Sequence, residues 1–120
     1  MKLIVAGSRT LEPSADFIEN CLFMLGLWEQ FDEIVSGKAK GVDLAGEKFA
    51  AGYGFEVKQF PADWDTHGKK AGVLRNKEMA IYADALLLIW DGVSRGSANM
   101  RKEMLALGKP VYEVVIRKVV

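Results

Sequence analysis

Three short stretches carry the residue types that hold an anion. Asp91-Gly92-Val93-Ser94-Arg95-Gly96-Ser97 offers two glycines and two serines within the six residues from Gly92 to Ser97. It follows the apolar run ending at Trp90 and precedes Ala98 to Leu107, whose spacing reads as an amphipathic helix. Where a buried strand turns into a helix, free backbone N–H groups and the positive end of the helix dipole converge, which suits a phosphate or carboxylate. Ser94 or Ser97 suits a plain N-cap as well. Gly7-Ser8-Arg9 follows another apolar run, and Arg9 can meet an oxyanion with its planar fork. Ser36-Gly37 and Gly41-Val42-Asp43 bracket a third loop, in which Asp43 suits either the cap of the next helix or the hydroxyls of a ribose. None of these is a Walker loop or a Gly-x-Gly-x-x-Gly dinucleotide turn after a first strand.

Further along, Asp63-Trp64-Asp65 sets an indole in a loop, as a flat wall for a base or as a plug under a long connection. Lys69, Gly72 and Asn76 share one helical face at spacings of three and four, with Arg75 beside that stripe. Such a stripe either presents donors to a pocket or is an exposed basic face. His67 has no neighbours that would complete a catalytic triad.

These residues need a scaffold, and the apolar pattern supplies it. Leu3 to Ala6 and Ala85 to Trp90 are wholly apolar, as in strands covered on both faces. Glu33 to Ser36, the alternating Phe55 to Phe60 and Val111 to Ile116 complete five strands, with Phe55 to Phe60 at an edge. Helices fall between them. Phe17 to Leu25 follows Pro13 in a first helical turn and stops near Gly26; Val42 to Tyr53 stops at Gly54; Ala71 to Tyr82 and Ala98 to Leu107 complete the set. Strict βαβαβαβαβ alternation predicts a single α/β, Rossmann-like domain over residues 1–120, with a mostly parallel five-stranded sheet and helices on both faces. Ligands of such sheets bind at the carboxyl ends of the strands, where strand order reverses. The loops after the first, second and fourth strands are the three stretches above, so all three are expected on one edge.

Composition narrows the partners. The 120 residues hold 16 basic and 16 acidic side chains, which argues against a dedicated nucleic-acid binder. One cysteine, Cys21, and one histidine exclude an internal disulfide and a Cys/His zinc cluster, so no metal or cofactor is expected. Cys21 sits among apolar residues and is expected in the core. The chain runs from Met1-Lys2 straight into a strand, and no apolar run approaches the roughly 20 residues of a membrane span, so the expected location is cytoplasmic.

Taken together, Gly7-Ser8-Arg9, Ser36-Gly37, Gly41-Val42-Asp43, Ala62-Asp63-Trp64, Gly68-Lys69, Ala71-Gly72, Arg75-Asn76, Met79, Ala83-Asp84, Ser94 and Gly96 resemble the YspA-type (YpsA-related) branch of the SLOG superfamily. The resemblance spans nearly the whole chain, in order. It implies a Rossmann-like domain that binds nucleotides or nucleotide-derived small molecules. More distantly, the chain is similar to LOG-type phosphoribohydrolases, which cleave the N-glycosidic bond of nucleoside 5′-monophosphates. Arg75-Asn76-Lys77-Glu78-Met79 is similar to their Arg-Lys-x-x-Met segment, which implies a catalytic role for Arg75. Asp91 to Met100 can be laid on their Pro-Gly-Gly-x-Gly-Thr-x-x-Glu segment, with Gly96-Ser97 on Gly-Thr and Met100 on the catalytic glutamate. A thioether is no general acid or base.

The expected function is therefore binding of a phosphate-bearing nucleotide by Gly7, Ser8, Arg9, Ser36, Gly37, Gly41, Asp43, Asp63, Trp64, Lys69, Gly72, Arg75, Asn76, Asp91, Gly92, Ser94, Gly96 and Ser97. The alternative is a nucleotide N-glycosidase using Arg75 with Asp91, Asp63 or Glu103 as substitute carboxylate; a DNA-binding module is weaker still. LOG-type relatives assemble through helices, and Phe23, Met24, Leu27 and Trp28 suggest a homo-oligomer here as well.

Overall fold

The computed structural model describes residues 1–117; the last three residues of the expected domain lie outside the described residues. Five strands, β1 (Lys2–Gly7), β2 (Glu33–Ser36), β3 (Glu56–Gln59), β4 (Ala85–Trp90) and β5 (Val111–Val115), form one parallel sheet in the order β3-β2-β1-β4-β5. The central pair sets the register, with Leu3 beside Ala85 and Gly7 beside Ile89. Strand β4 is buried along its whole length, as a wholly apolar run requires. This is a Rossmann-like α/β fold.

Helices α1 (Ala15–Met24) and α2 (Val42–Tyr53) cover one face. There Ile18, Leu22 and Phe49 close over Leu3, Val5, Ile34, Leu87 and Ile89. Helices α4 (Ala71–Tyr82) and α5 (Arg95–Ala106) cover the other, where Met79, Met100 and Met104 meet Ile4, Val35, Leu86 and Leu88. Alternate residues of one strand thus feed opposite cores, which is the period-2 geometry of a strand.

Several boundaries differ from the sequence reading for identifiable reasons. Pro13 precedes α1 rather than opening it, because the Ser14 hydroxyl accepts the Phe17 N–H at 3.1 Å and caps the helix. The connection after β3 contains a single helical turn, α3 (Trp64–His67), capped by the Asp63 carboxylate at 3.1 Å, and a 3₁₀ turn (Gly68–Lys70). Lys69 therefore lies before α4 and not on its face. Helix α5 starts three residues earlier than its apolar spacing suggested, so Arg95, Gly96 and Ser97 are its first turn. Cys21 is only half-buried, and that partial burial pushes its thiol up from the ordinary value. No described helix is long and apolar enough to cross a membrane.

Candidate functional site

Strand order reverses between β1 and β4. The chain leaves β1 toward β2 and leaves β4 toward β5, so the loops beyond Gly7 and Trp90 diverge and open a crevice. A cleft of about 290 Å³ occupies that position, with Ala6, Met79 and Met100 among its buried lining.

The β4–α5 loop forms one wall. Its shape is fixed from within: Asp91 Oδ1 accepts the N–H groups of Val93 at 2.9 Å and Ser94 at 2.8 Å. Those two bonds hold the Asp91 carboxyl below the usual carboxylate range. The Asp91 N–H donates to Ser8 Oγ at 3.1 Å, and Ser8 Oγ lies 3.2 Å from Ser94 Oγ, which ties this loop to the end of β1. Ser94 is the N-cap residue of α5, yet its side chain makes no capping bond. The N–H groups of Arg95, Gly96 and Ser97 consequently find no acceptor among the described residues. Ser97 Oγ is also without a partner among them, although Ser97 is only 5% exposed. A buried hydroxyl without a partner costs free energy on the order of 1–3 kcal/mol. The first turn of α5 thus borders the cleft with unspent donor capacity in three amides and the positive helix end, with the Ser97 hydroxyl buried beside them.

Arg75 reaches across from α4. One Nη1–H donates to the Gly37 carbonyl, and Nε donates to Asn76 Oδ1 at 3.0 Å. Asn76 is buried and passes the restraint on, donating to Asn99 Oδ1 at 2.8 Å and to the Gly96 carbonyl at 3.4 Å. Burial lowers the Arg75 pKa; nearby Asp43 opposes that shift, and the positive charge of Arg9 adds to it.

Asp43 is the buried carboxyl of the cleft wall. It does not cap α2, whose N-cap is Gly41 at φ 86°. Gly41 is required there on a second count, since a Cβ would lie 2.5 Å from the Ser8 carbonyl oxygen. The Asp43 side chain turns inward and accepts the Ala39 N–H at 3.4 Å. Burial raises its pKa to about 6, against the lowering effects of Arg75 and of the Ala39 and Gly7 N–H groups. Glycine at 37 leaves room for this arrangement, because a Cβ there would sit 2.8 Å from Asp43 Oδ2 and 2.9 Å from Arg75 Nη1.

A second depression, of about 270 Å³, adjoins the first and shares Arg9, Ala39 and Arg75 with it. Gly37, Lys38 and the half-exposed indole of Trp64 complete its walls. Gly72 lies under that indole: a Cβ there would meet it at 3.4 Å.

Of the residues singled out in the sequence, Gly7, Ser8, Arg9, Asp43, Arg75, Asn76, Asp91, Ser94, Gly96 and Ser97 border the main cleft, and Gly37 and Trp64 border its neighbour. The others do different work. Ser36 is fully buried and donates to Glu47 Oε2 at 2.6 Å. Gly41 serves backbone approach, while Gly92, at φ 86°, serves the turn after β4. Asp63 caps α3, and Lys69 is exposed; neither borders either cleft, and Glu103 does not either. Arg95, Thr10, Ala39 and Asn99 were not singled out. Arg95 lies within one recognised stretch and Thr10 directly after another, whereas Asn99 comes to Asn76 only through the packing of α4 on α5.

The fold and the crevice define a Rossmann-like α/β domain with a donor-rich cleft at its strand-order switch. No family model matches the chain, and no solved structure matches it. The chain is 42% identical over 84 residues to the Gene 61 protein of Mycobacterium phage D29, covering 65% of this chain and 67% of that protein. It belongs to the family of that Gene 61 protein.

Proposed function

We propose that the cleft binds a nucleotide or nucleotide-derived small molecule by its phosphate, as a sensing, carrying or sequestering module of the cytoplasm. The observation that carries this reading is the open first turn of α5, where three N–H groups and the buried Ser97 hydroxyl lack partners among the described residues. Arg9, Arg75 and Arg95 add charge around the same space. Binding is favoured over hydrolysis because Met100 lines the cleft, Asp91 is engaged by its own loop, and Asp63 and Glu103 lie elsewhere.

Calorimetric titration with ribonucleoside 5′-monophosphates tests the reading. Saturable binding is expected, and Arg75→Ala is expected to weaken it by about 100-fold, in line with truncating a partly buried charged donor. Absence of binding to every nucleotide would overturn it. Free base released by the wild type but not by Arg75→Ala would replace a binding module with a hydrolase, and salt-sensitive binding of single-stranded DNA would replace it with a nucleic-acid binder.

We further propose self-association through the α1 end, where Phe23 is 54% and Met24 87% exposed. Leu27 is buried and Trp28 packs against Phe31, Phe49, Tyr53 and Phe55, so Phe23 and Met24 remain for a contact. A monomeric mass by light scattering at micromolar concentration would refute this.

A further inference from the structure

We infer that the ligand is a nucleoside 5′-diphosphate, its terminal phosphate at the first turn of α5, its inner phosphate between Arg9 and Arg75, and its base against Trp64. The inference rests on the nucleotide reading above and specifies the ligand class. It begins from the two depressions, which are separate in volume but joined by the shared Arg9, Ala39 and Arg75. The first already holds a complete site for one anionic group, the open helix turn with the buried, unpartnered Ser97 hydroxyl.

The shared wall calls for a second anion. Arg75 has five N–H donors and commits two of them, one to Gly37 and one to Asn76. The guanidinium of Arg9 makes no hydrogen bond or ion pair among the described residues, and neither arginine is in a salt bridge among them. The positive charge of Arg9 disfavours that of Arg75. Two guanidinium groups on one shared wall, with donors to spare, are stabilised by a dianion placed against them.

The outer depression sets the rest of the ligand. Its charged lining is Arg9, Lys38 and Arg75, with no carboxylate among the described lining residues. Its flat element is the Trp64 indole, half-exposed and seated over Gly72 beside Arg75. An indole face next to a cationic rim suits a nucleobase attached to a phosphate chain. One phosphate would leave the arginine pair unanswered, and inorganic pyrophosphate would leave the indole bare.

The test is a titration of the full chain with AMP, ADP, GMP, GDP, CMP, CDP, UMP, UDP and inorganic pyrophosphate. At least one diphosphate is expected to bind about tenfold or more tighter than its monophosphate, one added charge-assisted contact being worth that much. Arg9→Ala is expected to weaken monophosphate, diphosphate and inorganic pyrophosphate alike, by about tenfold, because the inner phosphate is common to all three. Trp64→Ala is expected to weaken both nucleotides about tenfold and leave inorganic pyrophosphate unchanged. A monophosphate that binds as tightly as its diphosphate, or nucleotide and pyrophosphate affinities unmoved by Arg9→Ala, overturns this inference and leaves nucleotide binding intact. Failure of every nucleotide to bind overturns both.

Discussion

The two ends of the same sheet treat their polar groups in opposite ways. At the amino ends of the strands the groups answer one another. Asp84 accepts the Lys2 N–H at 2.7 Å, Tyr82 donates to Glu33, and Lys2 Nζ lies 4.1 Å from the centre of the Tyr82 ring. Lys109 Nζ donates to the carbonyls of Ala80, Ile81 and Ala83 at 2.7, 3.0 and 2.7 Å, and so closes the end of α4. The Glu33 bond and charge push the Tyr82 hydroxyl up to about 12. At the carboxyl ends the first turn of α5 is open, Ser97 is unpartnered among the described residues and Arg9 and Arg75 border the same cleft. The first end is finished by its own residues. The second keeps unspent donor capacity, and it does so within a fold whose other polar groups are largely satisfied.

That contrast can be broken at four places. Gly7→Ala has the largest expected effect. Its Cβ would lie 1.7 Å from the Ile89 carbonyl oxygen, so β1 and β4 must separate beneath the cleft. A loss of about 3 kcal/mol or more in urea unfolding is expected. Next comes pH. Asp43 has its pKa raised from 3.8 to about 6 in the folded protein, so between those values the native state holds a proton that the unfolded chain has lost. Its contribution is complete below pH 3.8 and is lost as pH rises through about 6, an effect of about 3 kcal/mol for two pKa units. Asp43→Asn should flatten that part of the stability–pH curve, read by thermal melts from pH 3.5 to 7.

Lys109→Met tests the finished end. Losing three bonds to helix carbonyls is expected to cost about 2 kcal/mol of stability and to leave nucleotide affinity unchanged. Ser97→Ala has the smallest effect and the most telling sign. Removing a buried hydroxyl without a partner should raise the stability of the free protein by about 1 kcal/mol, yet weaken phosphate-bearing ligands by about fivefold. A loss of stability, or an unchanged affinity, would place Ser97 with the structural groups at the other end of the sheet.

How much of this was legible depends on how local each determinant is. The five strands and the four long helices follow from apolar runs and spacing, because β4 is buried on both faces and α2 buries Val42, Ala45, Phe49 and Ala50 on one. The meeting of Gly7 to Arg9 with Asp91 to Ser97 follows from parallel strands sharing a carboxyl edge. The roles of Asp43 and Asn76 did not follow. Asp43 at the start of a helix reads as a cap, and only the tertiary position of Gly37 and Arg75 turns it inward. Ser36 reads as a loop hydroxyl until Glu47, one turn further along α2 than Asp43, accepts its hydrogen bond. Helix α3 is a single turn, too short to leave any periodic trace.

Asn76 carries a consequence for speed. Through Asn99 and the Gly96 carbonyl it fastens α4 to the first turn of α5, while Arg75 is fastened to Gly37 across the crevice. Both sides of the cleft are therefore held in place by the protein's own hydrogen bonds. Ligand capture should run at the pace of diffusion and orientation, about 10⁵–10⁷ M⁻¹s⁻¹ or faster with electrostatic attraction. Ligands that differ in affinity should then differ in how long they stay.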